Sequence, residues 1–206
     1  MAHEPLIFIV SAPSGAGKTS LCREVVRLLP DLCFSVSITT RASRSHEKDG
    51  VDYHFVSLAD FRRMIETDQL LEWTEIYGNF YGTSRAIIAG CSSKGMDMLF
   101  DIDQAGARRI KEIYPASITI YILPPSQKDL QERLIQRGTE DEAVMKKRLD
   151  QAQKEIEQSS WYQYKVVNDD FGQAVGRVLE IIAAERAQKH GTLHINPKHE
   201  IRNSKQ

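Results

Sequence analysis

An apolar run, a glycine-rich turn and a helical pattern follow one another at the start of the chain, and this combination restricts the possible folds most. Leu6–Val10 is apolar throughout, as expected of a strand buried on both faces. Ser11–Gly17 is rich in turn-forming residues, and a helix is predicted from about Lys18 to Leu29, before Pro30. A glycine-rich turn between a buried strand and a helix is typical of phosphate-binding loops.

The chemistry of this turn supports that interpretation. Gly15 and Gly17 allow consecutive backbone N–H groups to turn toward one anion, and the N-terminus of the helix adds its dipole. Lys18 can then reach the β- and γ-phosphates of a nucleotide, and the Thr19 hydroxyl can bind Mg²⁺. The alternative is a glycine-rich turn with an exposed lysine. Because such a pattern arises by chance in about one chain in a hundred of this length, a phosphate-binding loop is predicted, with Ala12 where the first glycine usually stands.

Strand-like and helical segments alternate along the rest of the chain, which predicts an α/β fold: a parallel sheet with helices on both faces. The alternation of Phe34, Val36 and Ile38 with serines predicts one half-buried strand. Further strands are predicted at Met98–Ile102, Ile118–Leu123 and Val166–Val167. Helices are predicted at about 104–113, at 126–159 with an interruption at 138, and at 174–187.

A small β-rich insertion is predicted between Tyr53 and Ile76. It contains a strand at Tyr53–Val56, a short helix opened by Ser57, and a second strand at Leu70–Ile76. This segment is expected to form a separate lobe. At the other end of the chain, residues 190–206 are polar and lack periodicity, and they are predicted to be a disordered tail.

Length and charge restrict the class of protein. A chain of 206 residues fits one α/β domain with insertions better than two independent domains. The net charge of -1 leaves no overall field to attract nucleic acid or an anionic membrane, so an anion site must be built locally. The longest apolar runs are far shorter than the ~20 residues of a membrane span. The three cysteines have no metal-like spacing, and they predict neither a disulfide framework nor a zinc site, which makes the cytoplasm the default location.

Two arginines follow the predicted strand at Phe34–Ile38. Arg41 and Arg44, with Tyr53 further on, can form a second anion site, because the guanidinium group matches the oxygens of a phosphate. A pair of arginines in a loop is more often part of a solvated surface, so the sequence alone leaves both interpretations open.

Acidic residues also have two interpretations. Asp101 ends a buried strand, where a carboxylate can support Mg²⁺ directly or through water, although many strands end in Asp. Glu72 lies among apolar neighbours and is either a functional carboxylate or one that faces solvent.

Three arginines lie in the charged helical segment at 126–159. From their surroundings alone, Arg133, Arg137 and Arg148 are expected on surface helices, in ion pairs with acidic neighbours. Those neighbours are Glu132, Glu140 and Glu142.

Eight short motifs occur in the chain: Ala-Pro-Ser-Gly-Ala-Gly-Lys-Thr, Ser-x-Thr-Thr-Arg-x-x-Arg, Gly-x-x-Tyr-x-Phe, Gly-Asn-Phe-Tyr-Gly-Thr, Asp-Ile-Asp-x-x-Gly, Leu-Pro-Pro-Ser, Arg-Gly and Val-Asn-Asp-Asp. In order and spacing they resemble the guanylate kinase family, over roughly Leu6–Arg186. The resemblance implies a core (residues 5–36, 91–125 and 160–188), a GMP-binding lobe (37–90) and a helical lid (126–159) within one domain at 1–188, followed by the tail at 189–206.

The resemblance also implies transfer of a phosphoryl group from ATP to GMP, with Mg²⁺ as cofactor and neither nucleic acid nor membrane as partner. It assigns the GMP phosphate to Arg41, Arg44, Tyr53 and Tyr81, and guanine to Ser37, Glu72, Thr83 and Asp103. It assigns ATP to Ala12, Pro13, Ser14, Gly15, Ala16, Gly17, Lys18, Thr19, Asn168 and Asp169. The implied catalytic residues are Lys18, Arg44, Arg137 and Arg148, and the implied metal-binding residues are Thr19 and Asp101.

The chain departs from the family pattern in the arginine loop. Ser43 stands where the family commonly has Pro, and His46 stands where it commonly has Gly, so the sequence does not determine the backbone path of this loop.

Two alternative functions also stay open: a kinase for another nucleoside monophosphate, and a binding module without catalysis. A GTPase is disfavoured, because the chain has no Asn-Lys-x-Asp or Thr-Lys-x-Asp motif.

Overall fold

Five parallel strands form the central sheet of the protein. The structure is a computed structural model and describes residues 4–45, 47–76, 78–136 and 142–189. Numbered along the chain and given in spatial order, the strands are β2 (Leu32–Phe34), β7 (Asp97–Asp101), β1 (Ile7–Ser11), β8 (Ile118–Leu123) and β9 (Tyr164–Val167). Each neighbouring pair in this order is parallel. The predicted α/β class is confirmed.

Helices cover both faces of this sheet. Successive side chains of a strand point to opposite faces, and β1 accordingly places Phe8 and Val10 in one apolar cluster and Ile7 and Ile9 in the other. The first cluster is covered by α1 and α7, and the second by α3 and α4. The α-helices of the described residues are α1 (Lys18–Leu28), α2 (Leu58–Glu66), α3 (Ala86–Ser93), α4 (Gln104–Ile113), α5 (Gln127–Gln136), α6 (Glu142–Glu157) and α7 (Phe171–Lys189), and a short 3-10 helix (Gln158–Trp161) follows α6.

A second sheet, here called the small sheet, is built between β2 and α3. In spatial order its strands are β4 (His54–Phe55), β3 (Ile38–Thr39), β6 (Asn79–Ser84) and β5 (Leu70–Ile76). Helix α2 closes its apolar side with the fully buried Phe61. The predicted start of this helix is confirmed, because the Ser57 hydroxyl accepts a hydrogen bond of 3.0 Å from the backbone N–H of Asp60.

The single strand predicted over Phe34–Ile38 is wrong. Strand β2 ends at Phe34 and belongs to the central sheet, whereas β3 begins at Ile38 and belongs to the small sheet. Both segments are strands, as the alternating pattern predicts. Local periodicity does not show, however, that the chain passes from one sheet to the other between Phe34 and Ile38.

Two helices also differ from the sequence prediction. Helix α3 is not predicted, because Ala86–Ser93 carries no clear polar face. Helix α7 begins at Phe171 rather than Ala174. The predicted interruption at residue 138 and the predicted tail lie outside the described residues. Of the helices in the described ranges, none combines the length and the apolar character that a bilayer-spanning helix needs.

Candidate active site

The glycine-rich turn connects β1 to α1 in a conformation that needs glycine. Gly15 and Gly17 have φ angles of 93° and 87°, in the left-handed region that L side chains rarely adopt. Gly17 also precedes the first residue of α1, and a Cβ on it would lie 2.7 Å from Nδ2 of Asn168. The two glycines on which the phosphate-loop prediction depends are therefore required by the backbone itself.

Lys18 is anchored at the end of the neighbouring strand β7. Its Nζ lies 2.5 Å from Oδ1 of Asp101 and donates a hydrogen bond of 2.9 Å to the carbonyl oxygen of Ile102. Burial by itself lowers the pKa of Lys18, and the charge of Asp101 and its hydrogen bond raise it. The effect of Asp101 is the greater, so the pKa of Lys18 lies above its usual value. Lys18 is thus a fixed cation rather than an exposed lysine on a turn.

Lys18 and Asp101 line a cleft between the turn and the small sheet, which we call the Tyr53 cleft. It has about 360 Å³ of empty space, part of which is open to solvent. The lining residues are Lys18, Thr19, Phe34, Ser35, Ser37, Asp52, Tyr53 and Asp101. Of these, Asp52 is not predicted from the sequence. Its carboxylate accepts a hydrogen bond of 2.7 Å from the backbone N–H of Lys48 and contacts the guanidinium group of Arg23.

Aromatic rings and a guanidinium group lie together next to this cleft. The Arg41 guanidinium carbon lies 5.3 Å from the centre of the Tyr53 ring, and the Tyr53 and Tyr81 rings meet edge to face at 6.1 Å. Arg41 also forms an ion pair with Glu47, in which Nη2 of Arg41 donates to Oε1 at 2.8 Å and to Oε2 at 3.0 Å. The Glu47 carboxylate accepts a further hydrogen bond of 2.8 Å from the backbone N–H of Arg44.

Glu47 therefore organises the arginine loop, a role that is not predicted from the sequence. Its hydrogen bond with Arg41 lowers the pKa of Glu47 and raises that of Arg41. Both groups are thus charged at neutral pH, and the Arg41 guanidinium group already holds one carboxylate. His46 lies outside the described residues.

Glu72 faces the protein interior, so the alternative of a solvent-facing carboxylate is wrong. It is 6% exposed, and Oε1 accepts a hydrogen bond of 2.6 Å from the Thr83 hydroxyl. Its neighbour Asp103 caps α4, where Oδ1 accepts a hydrogen bond of 2.7 Å from the backbone N–H of Gly106. Three of the residues assigned to guanine by resemblance thus lie in one group.

Burial is the main influence on the charge of Glu72. It raises the pKa of Glu72 to about 7; the hydrogen bond from Thr83 acts in the opposite direction, and the charge of Asp103 acts with it. A carboxyl with this pKa is partly ionised at neutral pH. A ligand that donates hydrogen bonds to Glu72 would favour its ionised form.

A second cleft, here called the Phe171 cleft, lies on the other side of the glycine-rich turn. It is open, with about 830 Å³ of empty space, and is lined by Gly15, Gly17, Ser20, Arg133, Asn168, Asp169 and Phe171. Asn168 is 5% exposed, and its side-chain amide donates a hydrogen bond of 2.8 Å to the carbonyl oxygen of Ala16. This contact connects the end of β9 to the turn.

Arg133 lines this cleft, whereas its surroundings in the sequence predict a surface helix with ion pairs to acidic neighbours. Its guanidinium group donates a hydrogen bond of 3.0 Å to the carbonyl oxygen of Asn168, whereas Glu132 lies 3.9 Å from Lys128. Phe171, which the sequence analysis does not identify, is 45% exposed and offers a ring to the same cleft. Arg148 is half-buried on α6, and Arg137 lies outside the described residues.

The Tyr53 cleft also has the chemistry of a magnesium site. Thr19, which carries a hydroxyl, and Asp101, which carries a carboxylate, are both among its lining residues. Oxygen atoms of this kind are the ligands that Mg²⁺ prefers, and Mg²⁺ commonly binds through one or two protein groups together with substrate phosphates and water. The residues present therefore fit Mg²⁺.

Comparison with known proteins gives concordant results. A protein-family model described as guanylate kinase matches residues 4–185. A guanylate kinase of Geobacter metallireducens is 44% identical over 188 residues, which are 91% of this chain and 93% of the relative. A guanylate kinase of Rickettsia typhi is 42% identical over 186 residues, with 90% and 94% of the two chains covered.

Solved structures agree with this result. The crystal structure of guanylate kinase from Anaplasma phagocytophilum matches with a TM-score of 0.73 and 29% identity, and 93% of this chain and 98% of that chain are covered. A gluconokinase from Sinorhizobium meliloti matches with a TM-score of 0.51 at 15% identity, over 92% of this chain and 98% of that chain. The second likeness concerns the fold alone.

Proposed function

This chain belongs to the guanylate kinase family, and we propose a division of labour between its two clefts in the reaction of that family. The protein is an ATP:GMP phosphotransferase, which converts ATP and GMP to ADP and GDP. In the proposed arrangement GMP occupies the Tyr53 cleft and the adjoining small sheet, and ATP occupies the Phe171 cleft. The glycine-rich turn lies between them, where the transferred phosphoryl group must pass.

The observation that carries this arrangement is the buried pair of Glu72 and Thr83. Guanine presents N1–H and N2–H₂ as adjacent donors, and one ionised carboxylate can accept hydrogen bonds from both. Glu72 is fixed by a hydrogen bond of 2.6 Å from Thr83 and is almost fully buried, so guanine would meet a carboxylate that is already oriented. Asp103 and Ser37 are the further residues proposed to contact the base.

The phosphate of GMP is proposed to bind where Arg41, Tyr53 and Tyr81 meet. The Tyr53 ring lies between them, 5.3 Å from the Arg41 guanidinium carbon and 6.1 Å from the centre of the Tyr81 ring. Arg44 is held close by through the hydrogen bond from its backbone N–H to Glu47. We assign Arg44 both to GMP binding and to catalysis, because a cation at this point also faces the transferred group.

On the other side, the backbone N–H groups of the turn at residues 12–19 are proposed to bind the ATP phosphates. The left-handed glycines and the N-terminus of α1 favour an anion there. The adenine ring is proposed to lie near Asn168 and Asp169. Phe171 offers an exposed aromatic ring beside them, on which a base can stack.

Lys18, Arg44, Arg137 and Arg148 are proposed to offset the charge of the transferred group. The acceptor is already an anionic phosphate, so no strong general base is needed. The task of the protein is to hold two polyanions in line and to exclude water, which would otherwise hydrolyse ATP. When bound by Thr19 and Asp101, Mg²⁺ would neutralise phosphate charge.

The segment at 126–159 is proposed to close over the nucleotides as a lid. It contributes Arg133 to the Phe171 cleft and carries Arg148 on α6. Closure with both nucleotides present would bring cations to the transferred group and remove water at the same step. This proposal predicts that Arg148→Ala lowers kcat far more than it weakens GMP binding.

A coupled assay that measures ADP formation tests the assignment. ATP should be consumed with GMP as acceptor, and substitution of dGMP, AMP or UMP measures the selectivity for the base. Preference for AMP or UMP would favour a kinase for another nucleoside monophosphate. Absence of turnover with bound GMP would favour a binding module.

A further inference from the structure

Two arginines of the core helices contact the small sheet, one at each of its edges. The edge strands of this sheet are β4 and β5. Arg109 on α4 donates a hydrogen bond to the backbone carbonyl oxygen of Trp73 on β5. Arg23 on α1 donates a hydrogen bond to the carboxylate of Asp52, which lies two residues before β4. Each edge of the small sheet is therefore connected to a different helix of the core.

The ion pair of Arg23 and Asp52 connects the two sides of the Tyr53 cleft. Arg23 follows Thr19 by one helical turn, so the two side chains lie on the same face of α1. Thr19 lines the cleft from the core, and Asp52 lines it from the segment that leads into the small sheet. The side chain of Asp52 is only 14% exposed, and that of Arg23 is 44% exposed, so the pair lies at the solvent side of the cleft.

Both carboxylate oxygens of Asp52 have a partner. Oδ1 accepts from the Arg23 guanidinium group, and Oδ2 accepts a hydrogen bond of 2.7 Å from the backbone N–H of Lys48. The turn at 48–53 is also closed by its own backbone, because the N–H of Gly50 donates a hydrogen bond of 2.8 Å to the carbonyl oxygen of Tyr53. A displacement of Asp52 should therefore also displace Tyr53.

We propose that Arg23 is a positioning residue for the acceptor nucleotide: through its ion pair with Asp52 it holds Tyr53 where the phosphate of GMP binds. This inference rests on the proposed function, in which GMP occupies the Tyr53 cleft. Arg23 acts through Asp52 and not by contact with the nucleotide.

The exposure of Arg23 determines where the loss of this pair should be measurable. Ion pairs at the surface contribute little to folding, because water and salt screen the charges. The substitution should therefore leave the fold intact and weaken the binding of GMP. The binding of ATP should change little, because neither Arg23 nor Asp52 lines the Phe171 cleft.

Calorimetric titration of the full-length protein with GMP, together with steady-state kinetics, tests the proposal. Arg23→Gln and Asp52→Asn should each raise the Kd for GMP by about threefold or more, while kcat at saturating GMP and the KM for ATP change by less than about twofold. The double variant should bind GMP no more weakly than the weaker single variant, because both substitutions break the same contact. Arg23→Lys, which keeps the positive charge, should bind GMP more tightly than Arg23→Gln.

Arg27→Gln is the matched control. Arg27 lies one turn after Arg23 on the same helix, and it pairs with Glu24 within α1, at 2.7 and 2.8 Å. This substitution should leave the Kd for GMP unchanged. An equal effect of Arg27→Gln and Arg23→Gln would overturn the proposal, because the charge of the helix and not the contact with Asp52 would then be responsible.

Two further results would overturn the proposal. Effects of Arg23→Gln and Asp52→Asn that multiply in the double variant would show that the two residues act separately. Tighter binding of GMP by Asp52→Asn would show that Arg23 only neutralises a carboxylate in the cleft. A wild type that binds no GMP would contradict the proposed function itself, whereas equal Kd values for the wild type and Arg23→Gln would contradict this inference alone.

Discussion

Gly106 leaves the space that the Glu72 carboxylate fills: a Cβ on Gly106 would lie 2.8 Å from Oε2 of Glu72. The same Cβ would lie 3.3 Å from Oδ1 of Asp103. Glu72 belongs to β5 and Gly106 to α4, so a glycine in a helix of the core sets the position of a carboxylate on the small sheet. The positions of Glu72 and Asp103, two residues of the proposed guanine site, thus depend on the absence of a side chain at Gly106.

We expect Gly106→Ala to displace Glu72 and to lower kcat/KM for GMP by about tenfold or more, because a shift of the carboxylate misaligns both of its proposed hydrogen bonds to guanine. The KM for ATP should change little, because Gly106 does not line the Phe171 cleft. Steady-state kinetics with each nucleotide varied in turn measures both values.

Gly90→Ala is the matched control, since Gly90 also lies in a helix and a Cβ there meets nothing within 4 Å. It should leave both KM values unchanged. Equal effects of the two substitutions would show that Gly106 acts through helix stability and not through Glu72.

Glu72→Gln should lower kcat/KM for GMP by at least about tenfold, because the amide keeps one acceptor but presents a donor to the donors of guanine. AMP should lose far less, since adenine places a lone pair where guanine has N1–H. The ratio of kcat/KM for GMP to that for AMP must therefore fall. Glu75→Gln, an exposed change on the same strand, should leave the ratio unchanged.

The activity with GMP should depend on pH through Glu72. Because its pKa is raised to about 7, the ionised fraction in the free enzyme falls as the pH decreases. From pH 8 to pH 6, kcat/KM for GMP should decrease by about tenfold more in the wild type than in Glu72→Gln. The variant corrects for the titration of the GMP phosphate, so parallel profiles would exclude Glu72 as the titrating group.

The stability of the protein should change with pH in the opposite direction. A carboxyl whose pKa is raised by folding binds its proton more tightly in the folded state than in the unfolded state. Its contribution to the free energy of unfolding is therefore fully present below the unfolded pKa of about 4.5 and is lost as the pH rises through the folded pKa of about 7. Relative to Glu72→Gln, the wild type should lose up to about 3 kcal/mol of unfolding free energy over this range. Urea unfolding at pH 5 and pH 8 measures the difference.

Lys18→Met should lower kcat by more than about tenfold, because it removes a cation from the transferred group. It should also destabilise the fold by roughly 1–3 kcal/mol, since it leaves the Asp101 carboxylate without its partner at 2.5 Å. Adding Asp101→Asn should restore most of the stability but none of the activity. Circular dichroism and urea unfolding of the single and double variants separate the two effects.

Short-range features were predictable from the sequence by itself. The glycine-rich turn, the helix that follows it, the Ser57 cap and the buried strands depend on neighbouring residues, and the structure confirms each. The motifs also identified the family, because their order and spacing are properties of the chain and not of its packing. The residues proposed for each nucleotide, the lid and the cytoplasmic location stay predictions.

The tertiary structure alone decided how distant segments meet. The alternation of apolar and polar residues at Phe34 and Ile38 did not show that the chain passes to the other sheet, because the periodicity of a strand does not determine which strand it pairs with. The contact of Arg133 with Asn168 joins separate segments of the chain, so the patterns around these residues could not reveal it. Likewise, Glu72 lies in a segment that suits either a buried or a solvent-facing carboxylate, and only the packing of β5 against α4 buries it beside Gly106.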